Sequence, residues 1–378
     1  LATDYNDLAS QQIINLQRVA TQLLKTTVYP SLNEAYKAAR LILAEYDEIN
    51  FSDLNKISAA IRREVKSATA QPWSDVTEQF EQTGITAAAF TAAIINETAN
   101  ANLKIPAEQK IINYINRSLM SLSGPTKKAG VWAEFVQAQI DSNVNTYNNI
   151  IKSGFSDGLT IAQIIKELKK ATDGLLTNQA EALSRTGINH YANQANIAMA
   201  LDNKNIVERE VPVVTFDSNI SRICVGIGSK YGLRGWPIGE SPVGYPPYHY
   251  NCRTVIQFLV KGQKNLGGTR SSVGGQSGKA AREAFEKRRD RTGKKPSRRG
   301  RIDDNIFKPG QIPANTIFDT FLKRQPRWFV EATLGKTGAK LFLDGKLSLS
   351  KFSDLQGRPL TIAELRTLNA RAFDRAGI

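Results

Sequence analysis

ANIAMALDNKNIVEREVPVVTFDS, residues 195–218, carries two periodicities back to back. As far as Asp202 its apolar residues continue a helical pattern that opens at Thr177, with Leu183, Tyr191, Ala195 and Met199 at helix-face spacing. From Val207 the pattern alternates polar and apolar and is rich in β-branched residues, which predicts a strand in VEREVPVVTF. CRTVIQFLV, 252–260, predicts a second strand, and a Gly/Pro-rich loop from Gly226 to Pro247 lies between the two. The change of period marks the passage from a helical region into a small α+β module.

Towards the N-terminus helical stripes follow one another. Ile13, Leu16, Ala20 and Leu23 form one, and Leu32, Tyr36, Ala39, Leu43 and Tyr46 a second, with Pro30-Ser31 read as a break between them. Ser52 is a candidate cap for a third helix bearing Leu54, Ile57, Ile61 and Val65. Gly84–Asn100 is Ala-rich and helix-compatible. Ile112, Ile115, Leu119 and Leu122 predict a further stripe ended by Gly124-Pro125, and Val136, Ile140, Val144, Tyr147 and Ile151 a long one after it. Thr160 and Gln163 form a capping-box pattern, as do Thr361 and Glu364. The expected fold is mainly α with a small α+β module: an N-terminal helical region, a mixed central domain and a helical C-terminal segment. Along the chain this divides into a helical region 1–154, a module 155–260, a basic flexible linker 261–312, and a segment 313–378 that returns to the module.

The net charge of +15 is unevenly spread. Between Lys261 and Arg301 lie fourteen Lys/Arg and three Asp/Glu, so +11 of the total sits in one Gly/Ser-rich stretch. Such a density on a segment poor in apolar residues points to a polyanion, not to a fold. The candidate nucleic-acid contacts are Lys287, Arg288, Arg289, Arg291, Lys294, Lys295, Arg298, Arg299 and Arg301. Hydrophobic residues make up 41% of the 378, enough for a sizeable core without disulfide or metal support. No apolar run approaches the roughly 18 residues of a membrane span, so no membrane is expected. The opening LATDYNDLASQQ does not read as a signal peptide, and it lacks an initiating Met, which fits a trimmed chain or a fragment.

Chemistry concentrates in YPPYHYNCRTV, residues 245–255. The chain has two histidines and two cysteines, and His249 and Cys252 meet here at H-x-x-C spacing. With Cys224 they offer three zinc ligands, one short of a structural set. Thr254 stands where a fourth cysteine would be convenient, and Asp217 or His190 are the other candidates to complete the set. A metal-free packed corner, a zinc site and a Cys224–Cys252 disulfide all remain open at this point. A Cys–His nucleophile needs an orienting third group, and none is evident. No phosphate-binding Gly-rich loop or carboxylate cluster is present either.

Asp217-Ser-Asn-Ile-Ser-Arg-Ile-Cys224, followed by Pro247-Tyr-His249-Tyr-Asn251-Cys252-Arg253-Thr254, resembles the central signature of the phage Mu F-like minor head proteins, the head morphogenesis proteins of tailed phages. The resemblance covers about 155–260 and 315–370, the latter through Phe321-Leu322, Trp328, Leu334-Gly335, Gly345, Asp354 and Thr361–Leu365. It departs at Tyr250, where the family has Pro, and at Thr254, where it has Cys. The resemblance implies Asp217, Cys224, His249, Asn251, Cys252 and Arg253 as signature residues. It implies a virion protein of the capsid interior near the portal, present in the host cytoplasm during assembly. Its partners would be portal, scaffold or capsid protein and packaged double-stranded DNA held non-specifically, with passage alongside the genome at ejection. No enzymatic activity and no cofactor are implied, zinc at Cys224, His249 and Cys252 aside. The alternative is a metal- or cysteine-dependent hydrolase or nuclease using the same three residues.

Overall fold

The computed structural model describes residues 5–122, 128–217, 219–272, 310–355 and 357–378. The protein is mainly α with a small α+β module. Its described helices are α1 Tyr5–Leu23, α2 Tyr29–Ala44, α3 Leu54–Ala99, α4 Glu108–Arg117, α5 Trp132–Ser156, α6 Ile161–Ala171, α7 Thr177–Asp202, α8 Arg222–Tyr231, α9 Phe318–Lys323, α10 Arg327–Leu343, α11 Ile362–Leu368 and α12 Ala370–Ala376. Its strands are β1 Met120–Leu122, β2 Lys128–Gly130, β3 Val207–Val213, β4 Trp236–Pro237, β5 Val255–Val260, β6 Thr269–Ser272 and β7 Gly310–Pro313. No described helix is long and apolar enough to cross a membrane.

Two compact units are interleaved along the chain. One holds residues 14–87 and 107–195; the other holds 1–13, 88–106 and 196–378. The expected segments described the character of the sequence, whereas these units group residues by proximity.

The first unit is helical apart from the β1–β2 hairpin. Its centre is an aromatic cluster in which Trp132 meets Trp73, Phe80 and Tyr191 at centroid distances of 6.2, 5.6 and 6.0 Å. Gly187 of α7 admits the Trp132 ring, since a Cβ there would stand 2.5 Å from it. The stripe read in α5 holds at Ile140, Val144, Tyr147 and Ile151, all buried, but at its start Phe135 is the buried residue and Val136 is half-buried. Three readings need correction. Pro30 does not break a helix, because a π turn, Leu24–Val28, joins α1 to α2 and places it in the first turn of α2. Ser52 is not the cap of α3; that helix starts at Leu54, and the Asp53 carbonyl accepts from the Ile57 N–H. The stripe beginning at Ile112 is out of phase, for Ile111 and Ile115 are the buried pair, Leu119 is 63% exposed and Leu122 belongs to β1. The Gly124-Pro125 stop lies outside the described residues.

In the second unit an antiparallel sheet runs in the order β4-β3-β5. Val211 pairs with Gln257 and Val213 with Val255, and a register shift at Val207/Arg209 marks an irregular start. β3 is the central strand, yet it contains Pro212. This is tolerated because β4 covers only Arg209 and Glu210, so no ladder partner is owed an N–H at Pro212 from that side. α8 and the C-terminal helices build one core: Cys224, Val225, Ile227, Tyr248 and Cys252 pack with Phe318, Phe321, Leu322, Phe329, Val330 and Phe342. Polar pins hold the C-terminal segment in place. Asp319 accepts from the Leu349 N–H at 3.0 Å, and Lys230 donates to the carbonyls of Ser353 and Asp354.

The edges of the expected linker differ from the reading. Leu266 is buried with Val211, Val213 and Ala314. Thr269–Ser272 pairs antiparallel with Gly310–Pro313, closing at Ser272↔Gly310. This pairing joins residues far apart in sequence, so composition gave no sign of it. Residues 273–309 are therefore bracketed by one ladder. They lie outside the described residues, and with them all nine candidate nucleic-acid contacts from Lys287 to Arg301.

Candidate metal centre

The H-x-x-C spacing closes as a turn. The Cys252 N–H donates to the His249 carbonyl at 3.1 Å, and Asn251, third in the turn, has φ 58°. Turns of this kind need a residue that tolerates positive φ, and asparagine is among the few non-glycines that do. Asn251 therefore has a conformational reason to be where it is. Tyr250, second in the turn and 41% exposed, occupies a position that proline would also suit.

The partner sulfur arrives on a helix. Ser221 caps α8, its Oγ accepting from the Cys224 N–H at 3.2 Å, so Cys224 sits in the first turn with its side chain towards the β5 entry. The result is a compact group. Cys224 Sγ lies 3.2 Å from His249 Nε2 and 3.8 Å from Cys252 Sγ. The three ligand atoms all fall within 4.8 Å of one another and could hold a metal ion. Both cysteines are free and buried; His249 is half-buried.

Surrounding bonds prepare the donors. His249 Nδ1 lies 2.7 Å from the Tyr250 carbonyl, which can only accept, so that nitrogen carries a proton and Nε2 is the nitrogen turned towards the sulfurs. Thr254 donates its hydroxyl to Cys224 Sγ at 3.2 Å. Burial opposes ionisation of Cys252, but hydrogen bonds with Cys224 and His249 hold its thiol well below the ordinary value. The hydrogen bond to Cys252, together with burial, pushes Cys224 up. Burial works against the His249 imidazolium, yet contact with Cys252 raises its pKa overall.

Of the sequence-selected residues, Asp217, Cys224, His249, Asn251, Cys252 and Arg253 come together here. Asp217 does not complete the ligand set. Arg253 grips it with two hydrogen bonds, of 2.6 and 2.9 Å, and the Asn219 N–H donates to it at 2.8 Å. His190 does not complete it either; it belongs to the other unit, buried against Tyr191 at a centroid distance of 5.8 Å. Three buried charges escaped the sequence reading, Asp319 with its hold on the Leu349 N–H among them, because charged residues are read by default as solvent-facing. Glu210 is fully buried and ties β3 to β4 and the loop, accepting from Trp236 Nε1 at 2.6 Å and the Tyr245 hydroxyl at 2.8 Å. Arg270 stacks on the Phe216 ring at 3.9 Å and donates to the Val214 carbonyl.

No family model, curated protein or solved structure matches this chain significantly.

Proposed function

We propose that the chain is a minor structural protein of a tailed-phage head, of the Mu F-like kind, working in the capsid interior near the portal. The observation that supports it is the convergence of the six signature positions in one knot whose polar atoms serve the fold. Asp217 and Arg253 pair with each other, Asn251 sets a turn, and Cys224, His249 and Cys252 close the junction between α8 and β5. A knot of that kind holds a scaffold together. The helical unit would dock on portal or scaffold protein, and the basic stretch ending at Arg301 would hold packaged DNA through its phosphates, without reading bases.

Zinc suits the knot. Two thiolates on one tetrahedral zinc, with Zn–S near 2.3 Å, stand about 3.8 Å apart. The Cys224 and Cys252 sulfurs are 3.8 Å apart, and the imidazole is already fixed with Nε2 facing them, ready to coordinate once its proton is displaced. The three residues would hold the ion as a cross-link between helix and strand.

Fractionation of purified particles tests the assignment: the chain should co-purify with DNA-filled heads at a few copies each, and its absence overturns the proposal. The DNA role has its own test, made practical by the β6–β7 ladder. Replacing residues 273–309 by an Asn-Gly turn between Ser272 and Gly310 should leave the fold intact and abolish salt-sensitive DNA retention. If about half of the fourteen cations engage phosphates, wild-type affinity falls by roughly three to four decades between about 50 and 200 mM salt. A second reading, hydrolase or nuclease chemistry at Cys252, is favoured by its lowered thiol pKa beside His249. Cys252→Ala and His249→Ala variants assayed for nuclease activity and for head assembly separate the two.

A further inference from the structure

Resting on the metal reading above, we infer that the Cys224–His249–Cys252 centre binds its ion through three protein ligands and takes a fourth from solvent, an exchangeable water or small anion. Thr254 acts as a hydrogen-bond donor to the Cys224 sulfur and not as a ligand.

Four observations carry this. Among the described residues these make up the only group of three or more His, Cys, Asp or Glu side chains gathered closely enough to share an ion. The nearest carboxylate in sequence, Asp217, has both oxygens engaged by Arg253. Thr254 is buried, with its hydroxyl hydrogen directed at Cys224 Sγ, 3.2 Å away. A neutral hydroxyl that already donates to a sulfur steadies the thiolate's charge, the part played by outer-shell partners of metal ligands. Finally, the two sulfurs are buried and His249 is the member of the group that solvent reaches. Two thiolates neutralise a divalent ion, so a water or a single small anion completes the sphere at little electrostatic cost. Three protein ligands with one exchangeable position is the arrangement that lets a metal centre bind outside molecules; four protein ligands would close it.

The test uses the full chain loaded with one equivalent of cobalt(II) and titrated with azide, followed by visible absorption. Wild type should bind cobalt and show a saturable spectral change with azide. Thr254→Cys should bind cobalt about tenfold more tightly or better and lose the azide response. Thr254→Val should keep the azide response, bind about tenfold more weakly and shift the thiolate-to-cobalt band, and Thr254→Ser should restore both properties. A wild-type cobalt spectrum indifferent to azide overturns the open position while leaving the metal centre standing. Loss of cobalt binding in Thr254→Val, in a variant whose circular dichroism is unchanged, shows Thr254 to be a ligand and also overturns it. Failure of wild type to bind cobalt removes the metal reading itself.

Discussion

The two histidines lie in different units, and their surroundings push them in opposite directions. His249 is held by the Tyr250 carbonyl on one nitrogen and faces sulfur with the other, and its pKa is raised. His190 is packed inside the helical unit, and burial, opposed only by the Ile115 backbone, pushes it down to about 3. Burial alone therefore does not make a histidine a ligand. What distinguishes His249 is the arrangement of bonded neighbours that orients its ring and turns Nε2 towards the two sulfurs. His190 is fully buried against the Tyr191 ring, where a charge would be costly.

The contrast can be broken most forcefully with acid. An unfolded chain protonates His190 near 6.5, the folded one only near 3. The unfolded state thus takes up the proton first, and stability present above about pH 6.5 is lost as the pH falls towards 3, by about 4–5 kcal/mol in all. Urea unfolding of wild type and His190→Gln between pH 7 and 4 checks this; the difference between the two curves should shrink as the pH falls, because the variant lacks the proton-binding site. Chelation should come next in size. With free zinc about a thousandfold above its dissociation constant, EDTA should cost wild type about 4 kcal/mol, and Cys252→Ser nothing. Equal sensitivity to EDTA in both would show that the ion is held elsewhere.

Asp217→Asn sharpens the same comparison from outside the ligand set. The Asp217 side chain is 6% exposed and its Arg253 partner 25%. Removing one member of so enclosed a pair should cost about 3 kcal/mol, measured by denaturant unfolding. Breaking the exposed Lys37–Glu34 pair of α2, where both side chains are more than half exposed, should cost under about 0.5 kcal/mol. The helix starts fall between those two pairs. Thr160→Ala and Thr361→Ala should each lose about 1 kcal/mol, as each hydroxyl accepts from an otherwise unpaired backbone N–H.

Those two capping boxes were legible in the sequence because everything they need lies within four residues. So were the α5 stripe and the switch of period at Val207. Pro30 misled because a proline is read as a break unless the turn before it is known to be helical. The β6–β7 ladder could not be read at all, since its strands are four residues each and most of forty residues apart. At the site the sequence gathered the candidate ligands correctly but left open which of Asp217, His190 and Thr254 stood beside them. That was fixed by Arg253 taking the carboxylate and by the three-dimensional path that brings Thr254 under Cys224.

Arg270 carries a last consequence. It is counted among the fourteen cations of the basic stretch, yet it is buried, lies flat on Phe216, and has its pKa pushed down to about 9 by burial. It is a rivet in the protein interior, so at most thirteen of those side chains can displace counterions from a duplex, and a logarithmic salt plot steeper than about −12 would have to draw on cations elsewhere in the chain.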